Sequence, residues 1–169
     1  MDRRLFLRNI STIGLAALSS PLPALAGEAA ARGKLDKPKS AWKALLPAAA
    51  YAVLFEEDTE RPYSSPLNGE KRSGTFVCAA CYLPLFESTK KYDSGTGWPS
   101  FWAAMPGAIG TSKDYKLMMA RTEYHCARCG GHQGHIFDDG PAPTHLRHCN
   151  NGLALRFVPG NETLAALRS

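Results

Sequence analysis

The sequence predicts a mainly β domain: compact, twisted antiparallel sheets with short N-terminal helices and a pair of C-x-x-C knuckles stapled by zinc. Three observations carry that expectation. From Thr59 onward, short β-type runs alternate with clusters of Gly, Pro, Asp and Ser, the pattern of strands joined by tight turns. Cys78-Ala-Ala-Cys81 and Cys126-Ala-Arg-Cys129 are spaced so that both sulfurs of each hairpin face one ion. The chain of 169 residues, less an N-terminal segment, has the length of one domain with one modest core.

Residues 1–26 read as an export address, a twin-arginine signal peptide. Arg3-Arg4-Leu5-Phe6-Leu7-Arg8 supplies the arginine pair, Ile10 to Leu18 a short apolar stretch, and Ala24-Leu25-Ala26 a cleavage site, so Gly27 is the expected mature start. The apolar stretch is interrupted by serines, followed by Pro21 and Pro23, and falls well below the ~18 residues a membrane span needs. The expected compartment is therefore the periplasm, with membrane contact only through the signal peptide. A twin-arginine route carries folded proteins, which would let a metal load before the thiols meet an oxidising compartment.

Residues 27–39, rich in Ala, Gly, Lys and Pro without periodicity, read as a flexible linker, and the domain is expected over 40–169. Ser40 is placed to cap a turn carrying Trp42, Leu45 and Leu46, and Pro47 to open a second helix running to about Phe55. Gly74 to Cys78, Leu117 to His125 and Leu153 to Val158 are the clearest strands, and Glu162 to Arg168 a last helical turn. The formal charge is +5, of which the three arginines and one aspartate of the signal contribute +2. The mature balance is too mild to argue for a nucleic-acid partner, and a monomer is expected.

Zinc is the best occupant of the two knuckles. A redox dithiol of the C-x-x-C type opens a helix after a strand, a context neither pair has. A disulfide within either loop is strained in most backbones, and bridging between the knuckles cannot be judged from the sequence. The long span from Tyr82 to His125 puts most of a domain between the two clips. With Cys78, Cys81, Cys126 and Cys129 assigned to metal, Cys149 is left without a metal role.

Chemistry-bearing residues then gather in three loops. On an extended backbone Arg147, Cys149 and Asn151 project together, and the same parity continues into Leu153, Leu155 and Phe157. A guanidinium beside a thiol favours the nucleophilic thiolate, and an amide can hold an oxygen during reaction. A lone cysteine is more often an inert buried residue, but its Arg and Asn neighbours favour function here. His132 and His135, in the glycine-rich stretch after the second knuckle, are an acid-base pair or else packed, second-shell or metal-binding imidazoles. Trp98 and Phe101, in Asp93-Ser-Gly-Thr-Gly-Trp-Pro-Ser-Phe101, are either core cover or the apolar cage that a thioether methyl group needs.

Tyr92 to Phe101, Arg121-Thr-Glu, Cys126 to Pro141 and Leu146 to Asn151, with Thr59-Glu-Arg-Pro62, resemble the methionine-R-sulfoxide reductases, the B class. The similarity runs over roughly Ser40 to Pro159. The resemblance implies a β-rich fold with one structural zinc on the four knuckle cysteines, far from catalysis. It also implies that Cys149 attacks the sulfur of R-methionine sulfoxide in oxidised proteins or peptides, giving a sulfenic acid, while His132 and His135 help protonate the oxygen. Trp98 matches the aromatic of the methyl pocket, and Arg147 and Asn151 match residues that order the nucleophile and the oxygen site. Many family members have a resolving cysteine where Thr96 stands here, so an external thiol reductant is expected and no disulfide within the chain. His148 and Asn150 differ from the aromatic and aliphatic residues often beside the nucleophile. A zinc-stapled binding module and a disulfide-exchange enzyme are the competing classes. The first has no need of a reactive thiol, and the second needs a redox partner cysteine.

Overall fold

The computed structural model describes residues 33–116 and 120–169; the expected signal peptide, residues 27–32 of the expected linker and Leu117–Met119 lie outside the described residues. Among the described residues two short helices come first, α1 (Lys39–Trp42) and α2 (Ala48–Glu56). Ser40 does not cap α1 but falls inside it, with Pro38 at the N-cap position in extended conformation; Pro47 immediately precedes α2, at its N-cap, and neither helix has a side-chain cap. Apolar burial holds the helices instead: Trp42 is fully buried and stacks on Phe55 at 5.7 Å. The chain is tied to the domain ahead of the expected onset at Ser40, because Leu35 N–H donates to the Arg128 carbonyl at 2.7 Å.

Among the described residues nine strands follow in two antiparallel sheets. β1 (Gly74–Cys78), β2 (Pro84–Glu87) and β9 (Leu155–Pro159) form a three-stranded sheet in the order β2-β1-β9. The other six, β3 (Lys91–Tyr92), β4 (Ser100–Phe101), β5 (Ile109–Asp114), β6 (Arg121–Cys126), β7 (His132–Phe137) and β8 (Arg147–Asn150), are ordered β3-β4-β8-β7-β6-β5. Aromatic rings from both sheets form the core. Phe86 stacks on Phe101 at 4.2 Å, and Phe76 meets Phe101 edge-on at 4.9 Å and Phe157 at 5.0 Å. His148 lies in the same core, edge-on to Phe86 and Tyr124, and burial pushes its imidazole below the ordinary histidine value.

Two strand expectations need correction. The strand expected from Leu153 starts at Leu155, because Gly152–Ala154 form a 3-10 turn. The alternation reasoned from Arg147 through Phe157 therefore breaks: β8 belongs to the large sheet and β9 to the small one, and Leu153 is exposed while Ala154 is fully buried. The strand expected to end at His125 is β6, ending at Cys126. The tail is not helical either. It forms no regular element, with Arg168 N–H donating to the Cys81 carbonyl at 3.1 Å and its guanidinium to the Tyr82 hydroxyl.

Candidate active site

The two knuckles are near copies of one turn. Cys78 N–H donates to the Leu83 carbonyl at 2.8 Å and Tyr82 N–H to the Cys78 carbonyl at 2.9 Å; Cys126 N–H donates to Gly131 and Gly130 N–H to Cys126, both at 2.9 Å. Each turn ends on a residue with positive φ, Tyr82 at 64° and Gly130 at 72°. The first knuckle hangs from the small sheet and the second from the large one, so the cluster clips the sheets together. All four sulfurs lie within 4.8 Å of one another, with Cys78 to Cys129 at 3.7 Å and Cys81 to Cys126 at 3.5 Å. A tetrahedral ion with metal–sulfur bonds of about 2.3 Å needs sulfur–sulfur edges of about 3.8 Å. The donor set and its spacing therefore suit a metal ion of zinc's size and softness.

Cys149 sits in the middle of a row of side chains crossing five strands. Ser100 on β4 pairs with Cys149 on β8, Cys149 with His135 on β7, His135 with Glu123 on β6, and Glu123 with Ser112 on β5. Directly opposed residues share a face, so the nucleophile and one imidazole are immediate cross-strand neighbours. His132 and His135 are three apart and would face opposite ways on a regular strand. A β-bulge changes that. Tyr124 pairs with Gly134 but His125 with His132, leaving Gln133 as the extra residue, and the two imidazoles come to one face with ring centres 5.5 Å apart. Gly134 is required where β7 meets β8: a Cβ there would lie 1.9 Å from the Cys149 carbonyl oxygen.

Carboxylates fix both imidazoles. His135 Nε2 donates to Asp114 Oδ2 at 2.8 Å, and Arg121 Nη2 donates to the same oxygen at 2.5 Å. His132 Nδ1 donates to Glu123 Oε1 at 2.9 Å, while Glu123 Oε2 accepts from His125 Nδ1 at 3.1 Å and Ser112 Oγ at 2.6 Å. An ionised carboxylate only accepts, so His135 carries its proton on Nε2 and keeps Nδ1 as a base. Hydrogen bonds from the Lys116 main chain, His135 and Arg121 hold Asp114 well below the usual carboxylate range. Burial works to raise Glu123, but its bonds from His125, His132 and Ser112 outweigh that and hold it low. Burial pushes His135 below its ordinary value, with the Asp114 bond opposing.

At Cys149, burial works against the thiolate expected beside Arg147. Burial pushes its thiol up, and Arg147 and Thr96 oppose the shift without reversing it. Burial is the larger effect, and the guanidinium is also shared: Arg147 Nε and Nη2 donate to the two Asp139 oxygens at 2.7 and 2.8 Å, over the Phe137 ring at 4.2 Å.

A cavity of about 120 Å³ opens beside Cys149, lined by Thr59, Trp98, Arg121, Gly134, His135, Phe137, Asn150 and Asn151. The Trp98 indole N–H donates to the Glu60 carbonyl at 3.1 Å, which fixes the ring as a wall. Gly97, at φ 92°, lets this loop pass Pro62 and Tyr63, where a Cβ would come within 2.8 Å. The structure thus brings together Cys149, His135, Asn151 and Trp98. His132 stands behind His135 and lines a different cleft with Glu57, Glu123 and His125. Arg147 is buried and is not among the residues lining this cavity; it acts on Cys149 while lining a neighbouring groove with Tyr92, Thr96 and Asp139. Phe101 is corrected outright: it is fully buried between Phe76 and Phe86 and lines no part of the cavity, so the core reading of that aromatic holds. Asn151 is largely engaged, its Oδ1 accepting from Glu60 N–H at 3.1 Å and its Nδ2 donating to the Gln133 carbonyl at 3.1 Å, which leaves one amide hydrogen for a ligand.

Sequence reasoning assigned no role to Asp114 or Glu60. Glu60 is buried, its carboxylate accepting from Gly152 N–H at 2.5 Å and Leu153 N–H at 3.0 Å while its main chain holds Asn151 and Trp98. Both residues act across contacts distant in sequence, and no local spacing points to them.

Comparison with known proteins agrees with this geometry. Residues 46–159 match the family model described as the SelR domain. The chain is 47% identical over 127 residues to a peptide methionine sulfoxide reductase MsrB of Pseudomonas putida (strain W619), covering 75% of this chain and 96% of that protein. A protein of the same name from Bradyrhizobium diazoefficiens is 47% identical over 127 residues, covering 75% and 91%. One from Methanosarcina mazei is 42% identical over 134 residues, covering 79% and 96%. With more than half its length inside the family model and relatives matched almost end to end, the chain belongs to the SelR-domain family of methionine-R-sulfoxide reductases.

Proposed function

We propose that this methionine sulfoxide reductase acts on R-methionine sulfoxide in peptides and proteins through Cys149 as nucleophile, with His135 moving the proton. The observation that carries the reading is the direct pairing of Cys149 with His135 beside a small cavity walled by Trp98. The cavity is small, about 120 Å³, and its Trp98 wall suits the methyl, sulfur, oxygen and methylene at the end of an oxidised methionine.

The proton inventory suits the groups present. Cys149 leaves its proton with His135 Nδ1 as its sulfur attacks the sulfoxide sulfur, and the imidazolium returns that proton to the departing oxygen. The sulfur–oxygen double bond is lost, methionine leaves as the reduced thioether, and the oxygen and proton end on Cys149 as a sulfenic acid. A raised thiol and a lowered imidazole make the first transfer uphill, so the proton moves as the sulfur–sulfur bond forms, and they favour its return from the imidazolium to the oxygen. His132 supports the ring of His135, Trp98 holds the methyl, Asn151 offers its remaining amide hydrogen to the oxygen, and Arg147 fixes the strand that carries the nucleophile. Two equivalents of an external thiol then return Cys149 to the thiol, releasing a disulfide and water.

Zinc is the proposed occupant of Cys78, Cys81, Cys126 and Cys129. When bound it supplies four bonds that cross-link the two sheets, and no step of the reaction passes through it. The chain is further proposed to be a monomer exported to the periplasm by a twin-arginine signal over residues 1–26, with a linker to 39. Fractionation and N-terminal sequencing test this: a mature start near Gly27 supports it, and an uncleaved cytoplasmic protein contradicts it.

The function is tested by offering R- and S-methionine sulfoxide peptides with dithiothreitol to the mature chain and to Cys149→Ser. R-selective turnover lost in the variant is expected. Equal turnover by the variant would refute the nucleophile, and turnover of neither epimer by folded, metal-loaded protein would favour a binding module.

A further inference from the structure

Gln133 has no part in the reaction above, yet its side chain lies between the metal centre and the catalytic strands. It is the extra residue of the β6–β7 bulge and is fully buried. Its Nε2 donates to Cys78 Sγ at 3.6 Å and to the Gly131 carbonyl at 3.5 Å, and its Oε1 accepts from Asn150 Nδ2 at 3.4 Å. Asn150 is fully buried in turn and accepts from the Tyr124 hydroxyl at 2.6 Å. The main-chain carbonyl of Gln133 accepts twice from Asn151, from its N–H at 2.8 Å and its Nδ2 at 3.1 Å. One residue therefore touches a metal-ligand sulfur, the two asparagines that follow the nucleophile, and, through the bulge, the two catalytic-face histidines.

We propose that Gln133 is a positioning residue that couples the metal centre to the catalytic constellation. The proposal rests on the functional reading above. A thiolate bound to metal is a stronger acceptor than a thiol, so an occupied centre tightens the N–H···S bond and with it the bulge. A buried amide that lost this partner would have to turn to satisfy its donors, and the bulge would turn with it. The geometry of His135 against Cys149 is then a property of the loaded protein, although none of the four metal-site cysteines lines the cavity.

Gln133→Leu tests this, because leucine fills the space without bonding and Asn150 Nδ2 keeps its bond to the Asn151 carbonyl at 2.8 Å. The variant is expected to fold and bind one metal ion per chain. Loaded with cobalt(II), it should show a shifted thiolate-to-metal charge-transfer band, reporting the lost N–H···S bond. Proton–nitrogen spectra of the histidine rings should move for His132 and His135, and kcat should fall about tenfold with KM little changed. If leucine prevents folding, Gln133→Met serves in its place. Wild-type histidine signals and kcat in the folded variant would overturn the proposal. Should the wild type reduce neither epimer, the functional reading alone fails, and the cobalt and histidine spectra still decide the coupling.

Discussion

Asp114→Asn separates the tuning of His135 from mere burial. In the structure one carboxylate oxygen accepts from both His135 Nε2 and Arg121 Nη2. The amide removes the charge and can present its own N–H₂ group to the ring, which favours the wrong tautomer. A hydrogen bond to a charged group contributes about 1.5–3 kcal/mol, so kcat should fall about 10- to 100-fold at one decade per 1.4 kcal/mol. The pH dependence has a definite sign. Burial lowers the His135 pKa and the Asp114 bond opposes it, so removing the bond lowers the pKa further. His135 must be neutral to take the Cys149 proton, and activity is lost as pH falls through its pKa. The acid limb of kcat should therefore move to lower pH in the variant while the plateau drops. The assay is kcat against pH with an R-methionine sulfoxide peptide. An unchanged plateau, or a limb displaced upward, would refute the base assigned to His135.

Other outcomes follow from the same contacts. Trp98→Ala should lower the rate and narrow the preference between R and S epimers, measured by competition; unchanged kinetics with both would remove Trp98 from the methyl site. Glu60→Ala orphans the Gly152 and Leu153 N–H groups and should cost about 2–4 kcal/mol, a fall in Tm of about 10 °C, whereas a change under a degree would show Glu60 to be dispensable. Glu123 has its folded-state pKa held below the unfolded value, so its contribution to stability is full above about pH 4.3 and fades as pH falls below that. Glu123→Gln should accordingly flatten the loss of Tm on acidification; parallel curves for variant and wild type would contradict this.

Much of the site was legible because its signals are local. C-x-x-C spacing announces a metal ligand set, and Arg-His-Cys-Asn-Asn announces an unusual cysteine. The strand parity drawn past Asn151 failed because the chain leaves one sheet there, turns through Gly152–Ala154 and enters the other, and no residue pattern marks a change of sheet. Phe101 stayed ambiguous since an aromatic on a turn reads the same whether it faces solvent or core. Its pairing beside His148 turns it inward. The setting of Cys149 depended on its burial and on Asp139, eight residues before Arg147, which shares the guanidinium that local reading gave to the thiol. The expected terminal helix lost to hydrogen bonds that tie Arg168 to Cys81 and Tyr82.

The most direct test of the central claim is a single turnover without reductant. Protein is mixed with a stoichiometric R-methionine sulfoxide peptide, and released methionine is compared with the intact mass of the chain and of its Cys149 peptide. One methionine per chain, one added oxygen trapped on Cys149 as a sulfenic acid and no disulfide within the chain are expected. Methionine released with Cys149 unmodified, or with Cys149 bridged to a knuckle cysteine, would contradict both the nucleophile and the external recycling of this enzyme.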